Sequence, residues 1–423
     1  MLPHQRTGIL IATIASIVAA GSYTTLAGLL ITQFAIDLGW TAATVSVGVA
    51  LNMLLYGVTA PFALILMDRY SIRTVSIAAM ILLLAGSAVC LWPNPLGFNF
   101  AWGLLVGLGT GCLTMAYGAH VARLWFPRSV GTVSGVLTAA AVVGQFALLP
   151  LWTAAMTRFG WQAPIIGCGV LTVTAIILNW MWMEEPKVRH QDRRGPSHAS
   201  PDRPNPEGAA ETSALFLAFG EVVIDLLHFM RRRPFWILVL LFLICGATTN
   251  GIMWSHFTPA VVDCGINVEF ASFVLALVGV FSVAGTMAAG WLADRINSRV
   301  ILMVVFFGRS LTLLWLPLIF WGGFETQLVV FGVIFGMLDV ATVPPVIVLC
   351  NRVFGRNGAV VFGWINAFHQ LGAGGMAFAG AHIRTQLGSY DLLWFVTGVI
   401  AMVAAFLVFL DRYEERGVAC PIF

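Results

Sequence analysis

Twelve apolar runs, each long enough to cross a hydrocarbon layer, leave this chain few folds to choose from. A helix rises ~1.5 Å per residue, so a bilayer core of ~30 Å needs about 20 apolar residues. Such runs occupy 8–36, 42–67, 72–92, 98–121, 129–151, 163–183, 235–258, 268–292, 299–320, 327–350, 358–382 and 391–410 of the 423 residues. In lipid every backbone N–H and C=O must find a partner inside the protein, and runs of this length do so as helices. Composition agrees, with 59% apolar and only 10% charged residues, against roughly 25% charged in a soluble domain. The expected fold class is an all-α polytopic membrane protein with twelve transmembrane helices.

Charge placement orients those spans. With a cytoplasmic amino terminus, 19 of the 22 Lys and Arg fall on the inner side, and only Arg158, Arg309 and Arg384 fall elsewhere. The positive-inside rule therefore places both termini in the cytoplasm and requires an even number of spans. The first run is too long for a signal peptide and lacks a small-residue cleavage site, so it reads as a retained first span of a plasma (cell inner) membrane protein. Seven scattered cysteines without a C-x-x-C or a Cys/His cluster read as packing residues, with no metal and no cofactor expected. The 15 Trp suit interfacial belts.

Three regions follow: a six-helix bundle over 1–183, a linker over 184–234 and a second six-helix bundle over 235–423. From Glu184 to Glu211 the linker is rich in Pro, Arg, Ser and Asp, a solvated composition. From Leu215 to Met230 apolar residues alternate with Glu221, Asp225 and His228 at helical spacing before Arg231, Arg232 and Arg233. That pattern fits a helix on the cytoplasmic membrane surface or a stop signal that only fixes topology.

The two bundles echo one another. Asp68-Arg-Tyr-Ser-Ile-Arg73 and Asp294-Arg-Ile-Asn-Ser-Arg299 both read Asp-Arg-x-x-x-Arg at an offset of 226, and Phe126 to Gly135 matches Phe354 to Gly363 in Phe, Arg and Gly at an offset of 228. With six spans per half, corresponding loops emerge on one side, which makes the halves parallel repeats about an axis along the membrane normal.

The loop motif resembles the signature of the major facilitator superfamily, G-x-L-A-D-R-x-G-x-R. The second copy keeps Gly290, Leu292, Ala293, Asp294, Arg295 and Arg299, and the first keeps Asp68, Arg69 and Arg73 with Leu64 in the glycine's place. The resemblance implies two six-helix bundles in pseudo-two-fold arrangement. Spans one, four, seven and ten would surround a midplane cavity, joined by two, five, eight and eleven. It also implies a cytoplasmic gate formed by Asp68, Arg69, Arg73, Asp294, Arg295 and Arg299. Shorter phrases are similar to the monocarboxylate-transporter-like and oxalate/formate-antiporter-like branch: Leu38-Gly-Trp40, Leu124-Trp-Phe-Pro127, Phe159-Gly-Trp161, Arg233-Pro-Phe-Trp236, and His256 followed by Asp263-Cys-Gly265. Carriers of that branch commonly place an Arg on span eight, and Gly279 to Gly290 contains none, with Thr286 in the neighbourhood.

A charge at the bilayer centre costs at least ~2.5 to 3.5 kcal/mol, so it is paired or used. Arg309 and Asp339 both lie near mid-depth and are expected to form a buried ion pair. Asp339, on a cavity-lining span, is also a proton-coupling candidate, as is His369. Substrate-binding candidates are Tyr23, Asn52, Tyr117, Gln145, Asn250, Asp339, Asn366, His369 and Gln370, each of which also has a reading as an interhelical hydrogen bond. His120 and His256 read as rim residues. Helix breakers at Thr248 to Gly251, at Pro344 and Pro345, and at Gly107, Gly109 and Gly111 are expected to let spans seven, ten and four flex.

No H-E-x-x-H, G-x-S-x-G or G-x-x-x-x-G-K-[ST] pattern occurs, which argues against an enzyme or a self-contained ATP-driven pump. The expectation is a secondary transporter for a small, monocarboxylate-like organic anion, proton-coupled and working by alternating access. Efflux of larger apolar compounds and a non-transporting receptor with the same fold are the alternatives. The partners expected are the lipid bilayer, the small-molecule substrate and protons, with no nucleic acid and the monomer as functional unit.

Overall fold

The computed structural model describes residues 3–40, 42–184, 220, 223–322 and 325–410, and among them every regular element is a helix. The first six spans are Pro3–Asp37, Ala42–Arg69, Ile72–Cys90, Pro95–Trp125, Val130–Phe159 and Gln162–Trp182. Span seven runs Arg233–Asp263, span eight Val268–Ala293 and span nine Ser298–Gly322. The next apolar stretch, Glu325–Arg384, is 60 residues long and holds two passes. Span ten is Glu325–Asp339 continued by Val343–Phe354, span eleven is Gly358–Leu387, and span twelve is Asp391–Leu410. Of the proposed surface helix, residues 215–219, 221 and 222 lie outside the described residues, while 223–230 are helical and Phe229 packs edge-on against Phe354.

Glycine decides which helices touch. A β-carbon at Gly285 of span eight would fall on the Met337 carbonyl of span ten, and one at Gly246 of span seven on the His369 carbonyl of span eleven. Between the halves, span five packs on span eight and span two on span eleven. Gly135 and Gly290 meet there with backbone 2.8 Å from where a β-carbon would sit. Gly107 and Gly111 press against span two and Gly109 against Leu83 of span three, contacts that a β-carbon at any of them would disturb. Without a hydrophobic drive between helices in lipid, such close approach is a principal source of association.

Where helices do deform, the deformation surrounds the molecular centre. Spans four, five and seven each contain a π-helical turn, at Ala101–Val106, Val143–Ala147 and Ala247–Gly251. Span ten breaks outright between Asp339 and Val343, just before Pro344 and Pro345. A wide turn frees main-chain groups, which is tolerated at membrane depth only inside protein or beside a cavity.

The packing at Gly285 is testable. Gly285→Ala should lower the melting midpoint of the purified protein in detergent, by the equivalent of about 1–3 kcal/mol of overpacking. Gly374→Ala, where a β-carbon meets nothing within 4 Å, should leave the midpoint unchanged.

Candidate functional site

The irregular turns converge on one cavity of about 300 Å³ between the two halves. Each π turn delivers side chains to it: Trp102 from span four, Gln145 and Phe146 from span five, Thr249 and Asn250 from span seven. Spans one, two, ten and eleven complete the wall.

Seven of the expected binding residues line this cavity: Asn52, Gln145, Asn250, Asp339, Asn366, His369 and Gln370. Two do not. The Tyr23 hydroxyl lies 2.8 Å from Ser87 Oγ and 3.2 Å from Thr172 Oγ1, tying span one to spans three and six within the first half. Tyr117 is fully buried and stands outside the cavity wall, its hydroxyl making no hydrogen bond. A tyrosine buried in packing of this kind usually finds a partner for its hydroxyl, and for Tyr23 those partners lie within the first half, away from the cavity.

The expected ion pair is not formed as such. Arg309 and Asp339 are both fully buried, but one Arg309 terminal nitrogen donates to the main-chain carbonyls of Leu338 at 2.7 Å and Asp339 at 2.5 Å. The other donates to Thr248 Oγ1 and Cys245 Sγ, each at 3.3 Å. Arg309 therefore caps the carbonyl end of the broken span ten, where a positive charge also suits the helix dipole. The Asp339 carboxylate is left to the cavity. Its Oδ2 accepts from Ser282 Oγ at 3.2 Å, and its Oδ1 is buried without a hydrogen-bond partner, as is Nδ1 of His369.

Several cavity residues carried no sequence signal. Cys245, read as packing, lines the wall with its sulfur 3.2 Å from Thr342 Oγ1. Trp102 and Trp254, read as belt residues, also line it, whereas Trp92, Trp180 and Trp291 are exposed as a belt requires. Phe146 and Trp254 stack across the cavity, ring centroids 3.7 Å apart and planes 12° apart. His120 and His256, expected away from the centre, line no part of the cavity and are buried in packing. His256 Nε2 lies 2.9 Å from the Ala377 carbonyl, joining span seven to span eleven.

The loop motifs lie at one end of the bundle, and there the two copies act differently. Asp294 reaches across to the first half: the backbone N–H of Gly131 donates to Oδ1 at 2.7 Å, and the Thr132 N–H and hydroxyl donate to Oδ2 at 2.7 and 2.6 Å. It caps the amino end of span five and closes this face. Asp68 lies 3.3 Å from His120 Nε2 of its own half, and the charges of Arg123 and, from the second half, Arg356 also act on it. Arg73 donates to the Met183 carbonyl at 2.6 Å, Arg69 lies over Tyr70, Arg295 folds onto the Trp291 ring, and the Arg299 N–H caps onto Asn297. At the opposite end Arg384 donates to Asp263 at 2.6 Å.

With this geometry in hand, known proteins can be compared. The family model described as Major Facilitator Superfamily matches residues 12–377 and 245–419. The chain is 26% identical over 382 residues to "Uncharacterized MFS-type transporter YcxA" of Bacillus subtilis (strain 168), covering 88% of this chain and 87% of the relative. It is 23% identical over 374 residues to "Monocarboxylate transporter 12-B" of Danio rerio, covering 85% and 77%. Among solved structures it aligns with the proton:xylose symporter XylE at a TM-score of 0.75, 13% identity and 97% and 96% coverage. The E. coli fucose:proton symporter FucP aligns at 0.69, 14%, 95% and 97%. At such identities the structural likeness speaks for the fold alone.

The Asp294 cap makes a prediction. Each charge-assisted hydrogen bond contributes ~1.5–3 kcal/mol, and ~1.4 kcal/mol is tenfold in an equilibrium. Asp294→Ala should therefore raise the maleimide reactivity of a cysteine placed at the buried Ala293, in detergent, by about tenfold or more. Asp68→Ala, which leaves the Asp294 cap intact, should raise it less.

Proposed function

The chain belongs to the major facilitator superfamily, a family of membrane transporters and not of enzymes, and from that premise we propose that it is a proton-coupled carrier of a small monocarboxylate-like organic anion. It works by alternating access, with the halves 1–183 and 235–423 rocking about the central cavity and 184–234 joining them. Both termini and the Asp-Arg loops face the cytoplasm in this reading, an orientation that the distribution of Lys and Arg supports, and the membrane is the cell's inner membrane.

One observation carries the proton: Asp339, fully buried, keeps an unpartnered carboxylate oxygen in a cavity between the halves. A carboxylate in such surroundings is costly when ionised and far less so when protonated. Ionised, it repels an organic anion from the same small space; protonated, it does not. Proton and anion thus favour each other's binding, which is the sign that symport needs. The amides of Asn52, Gln145, Asn250, Asn366 and Gln370 offer hydrogen-bond donors to a carboxylate substrate, and the His369 ring stands beside them as a second proton-coupling candidate.

A cavity of about 300 Å³ sits at the small end of ligand pockets. That size, with the likeness to monocarboxylate transporter 12 of three vertebrates, supports a small carboxylate over a bulky apolar solute. Arg309 does not take the place of the span-eight arginine, because both its terminal nitrogens are engaged by carbonyls, sulfur and hydroxyl and it is not part of the cavity wall. The substrate is held by neutral donors, and affinity for it is accordingly modest.

The test is uptake of radiolabelled monocarboxylates into vesicles with an imposed pH gradient. Acidifying the side from which substrate enters should drive accumulation against its gradient. Asp339→Asn should abolish the uphill component and leave substrate exchange with little dependence on pH. Uphill accumulation retained in Asp339→Asn would remove Asp339 from coupling. Movement of lipophilic cations with no movement of carboxylates would reassign the carrier to efflux.

A further inference from the structure

Spans nine and twelve run side by side, joined at mid-length by the Ser310 hydroxyl, which donates to the Gly398 carbonyl at 2.7 Å. On their outer side they leave a groove of about 620 Å³ whose lining is apolar throughout. Val304, Phe307, Val403, Phe406 and Phe409 are exposed along it. In a bilayer such a groove fills with acyl chains whatever their headgroup, so its shape alone selects no lipid. Charge at its mouth would.

That charge is present. A second space, a crevice of about 40 Å³, lies where spans seven, nine, ten and twelve converge at the end that carries the Asp-Arg loops. Its wall is apolar except for the half-buried Arg299. Leu302 of the crevice adjoins Met303 of the groove in the chain, and Val408 adjoins Phe409, so the two spaces flank the same pair of helix ends. Arg299 stands four residues before Met303, on one face of span nine with it. Two exposed arginines sit next to crevice residues in the chain, Arg233 before Pro234 and Arg352 before Val353. Spans seven, nine and ten thus each bring an arginine to this end, and no acidic residue lines either space among the described residues.

The first half supplies a contrast. Spans three and six enclose a groove of about 390 Å³, but toward the end away from the Asp-Arg loops, and no Arg or Lys lines it.

We propose that the span nine–twelve groove, with Arg299, Arg233 and Arg352 at its mouth, is a binding site for an anionic phospholipid of the leaflet at the Asp-Arg loops. One acyl chain lies along Met303, Phe307, Val403 and Phe406, and the phosphate is held at Arg299. A guanidinium suits this role, since its planar fork matches two phosphate oxygens and its charge is permanent. A zwitterionic lipid fills the groove equally well but brings its own cation toward the arginines. The bound lipid ties spans seven, nine, ten and twelve together at the end where Asp294 closes the halves.

Lipid retention tests this without reference to any cargo. The full-length protein in detergent is given dioleoylphosphatidylglycerol and dioleoylphosphatidylcholine at equal concentration, and bound lipid is counted by native mass spectrometry. The first lipid retained should be phosphatidylglycerol by about tenfold or more. Arg299→Gln should cut that preference about fivefold, and Arg352→Gln should cut it in the same direction. Arg299→Lys, which keeps the charge, should retain most of it. Arg158→Gln, which removes a charge at the opposite end, should leave it unchanged. Val403→Trp, which fills the groove from a lipid-facing position, should lower phosphatidylglycerol retention about threefold or more, and Ala88→Trp in the span three–six groove should not.

A preference unmoved by both Arg299→Gln and Arg352→Gln would overturn the proposal, as would an equal loss in Arg158→Gln, which would make the effect one of net charge. Full retention in Val403→Trp would place the lipid elsewhere. A lipid-free dimer that Val403→Trp converts to monomer would make the occupant a second copy of this chain. Melting midpoints equal to wild type in Arg299→Gln and Val403→Trp exclude misfolding as the cause of a loss.

Discussion

Span ten cannot both cross the middle of a membrane and present Asp339 to a cavity unless something takes the carbonyls freed where the helix breaks, and Arg309 does so. Its two donors to Leu338 and Asp339 replace the main-chain partners lost at the break, in a setting with no water to supply them. The cost of burying the guanidinium is offset by four acceptors and by the negative end of the half-helix above it. Because the charge is spent on backbone, the neighbouring carboxylate keeps an oxygen without a partner. The cation that looks from its position like a salt-bridge partner is what leaves the anion unsatisfied.

The same economy of small contacts governs the rest of the cavity. Three π turns, in spans four, five and seven, re-aim side chains toward the centre without ending the helices that carry them. Glycines on spans seven, eight and eleven let neighbouring backbones approach closely enough to hold those distorted turns in place. Distortion and close packing occur together because each wide turn needs a neighbour to shield its freed groups.

The duplicated halves have diverged in how they close. Asp294 caps the amino end of span five across the interface, and Gly290 brings span eight onto Gly135. In the other half Leu64 stands where Gly290 stands, Gly363 rests against Pro61 instead, and Asp68 turns to His120. Two loops with one motif thus hold their aspartates differently, one on main-chain N–H groups of the other half and one beside a histidine of its own.

How much of this was legible beforehand depends on the range of the interaction. Span number, the internal repeat and the depth of Asp339, Asn366 and His369 follow from apolar run length and from spacing along a helix, which are local properties of a chain in lipid. Seven polar residues inside apolar runs do meet at the cavity, since a polar group at that depth must face protein or water. The choice between cavity and interior partner was not legible: Tyr23 and Tyr117 share the depth of the others but stand outside the cavity wall. Nor could spacing show that Arg309 caps a carbonyl end, that Cys245 lies in the wall, or that Trp254 leaves the interfacial belt to stack on Phe146. Those facts depend on the rotation of each helix about its axis and on turns wider than an α-helix. Rotation and turn width are set by which backbones glycine allows to touch, and only the assembled helices decide that.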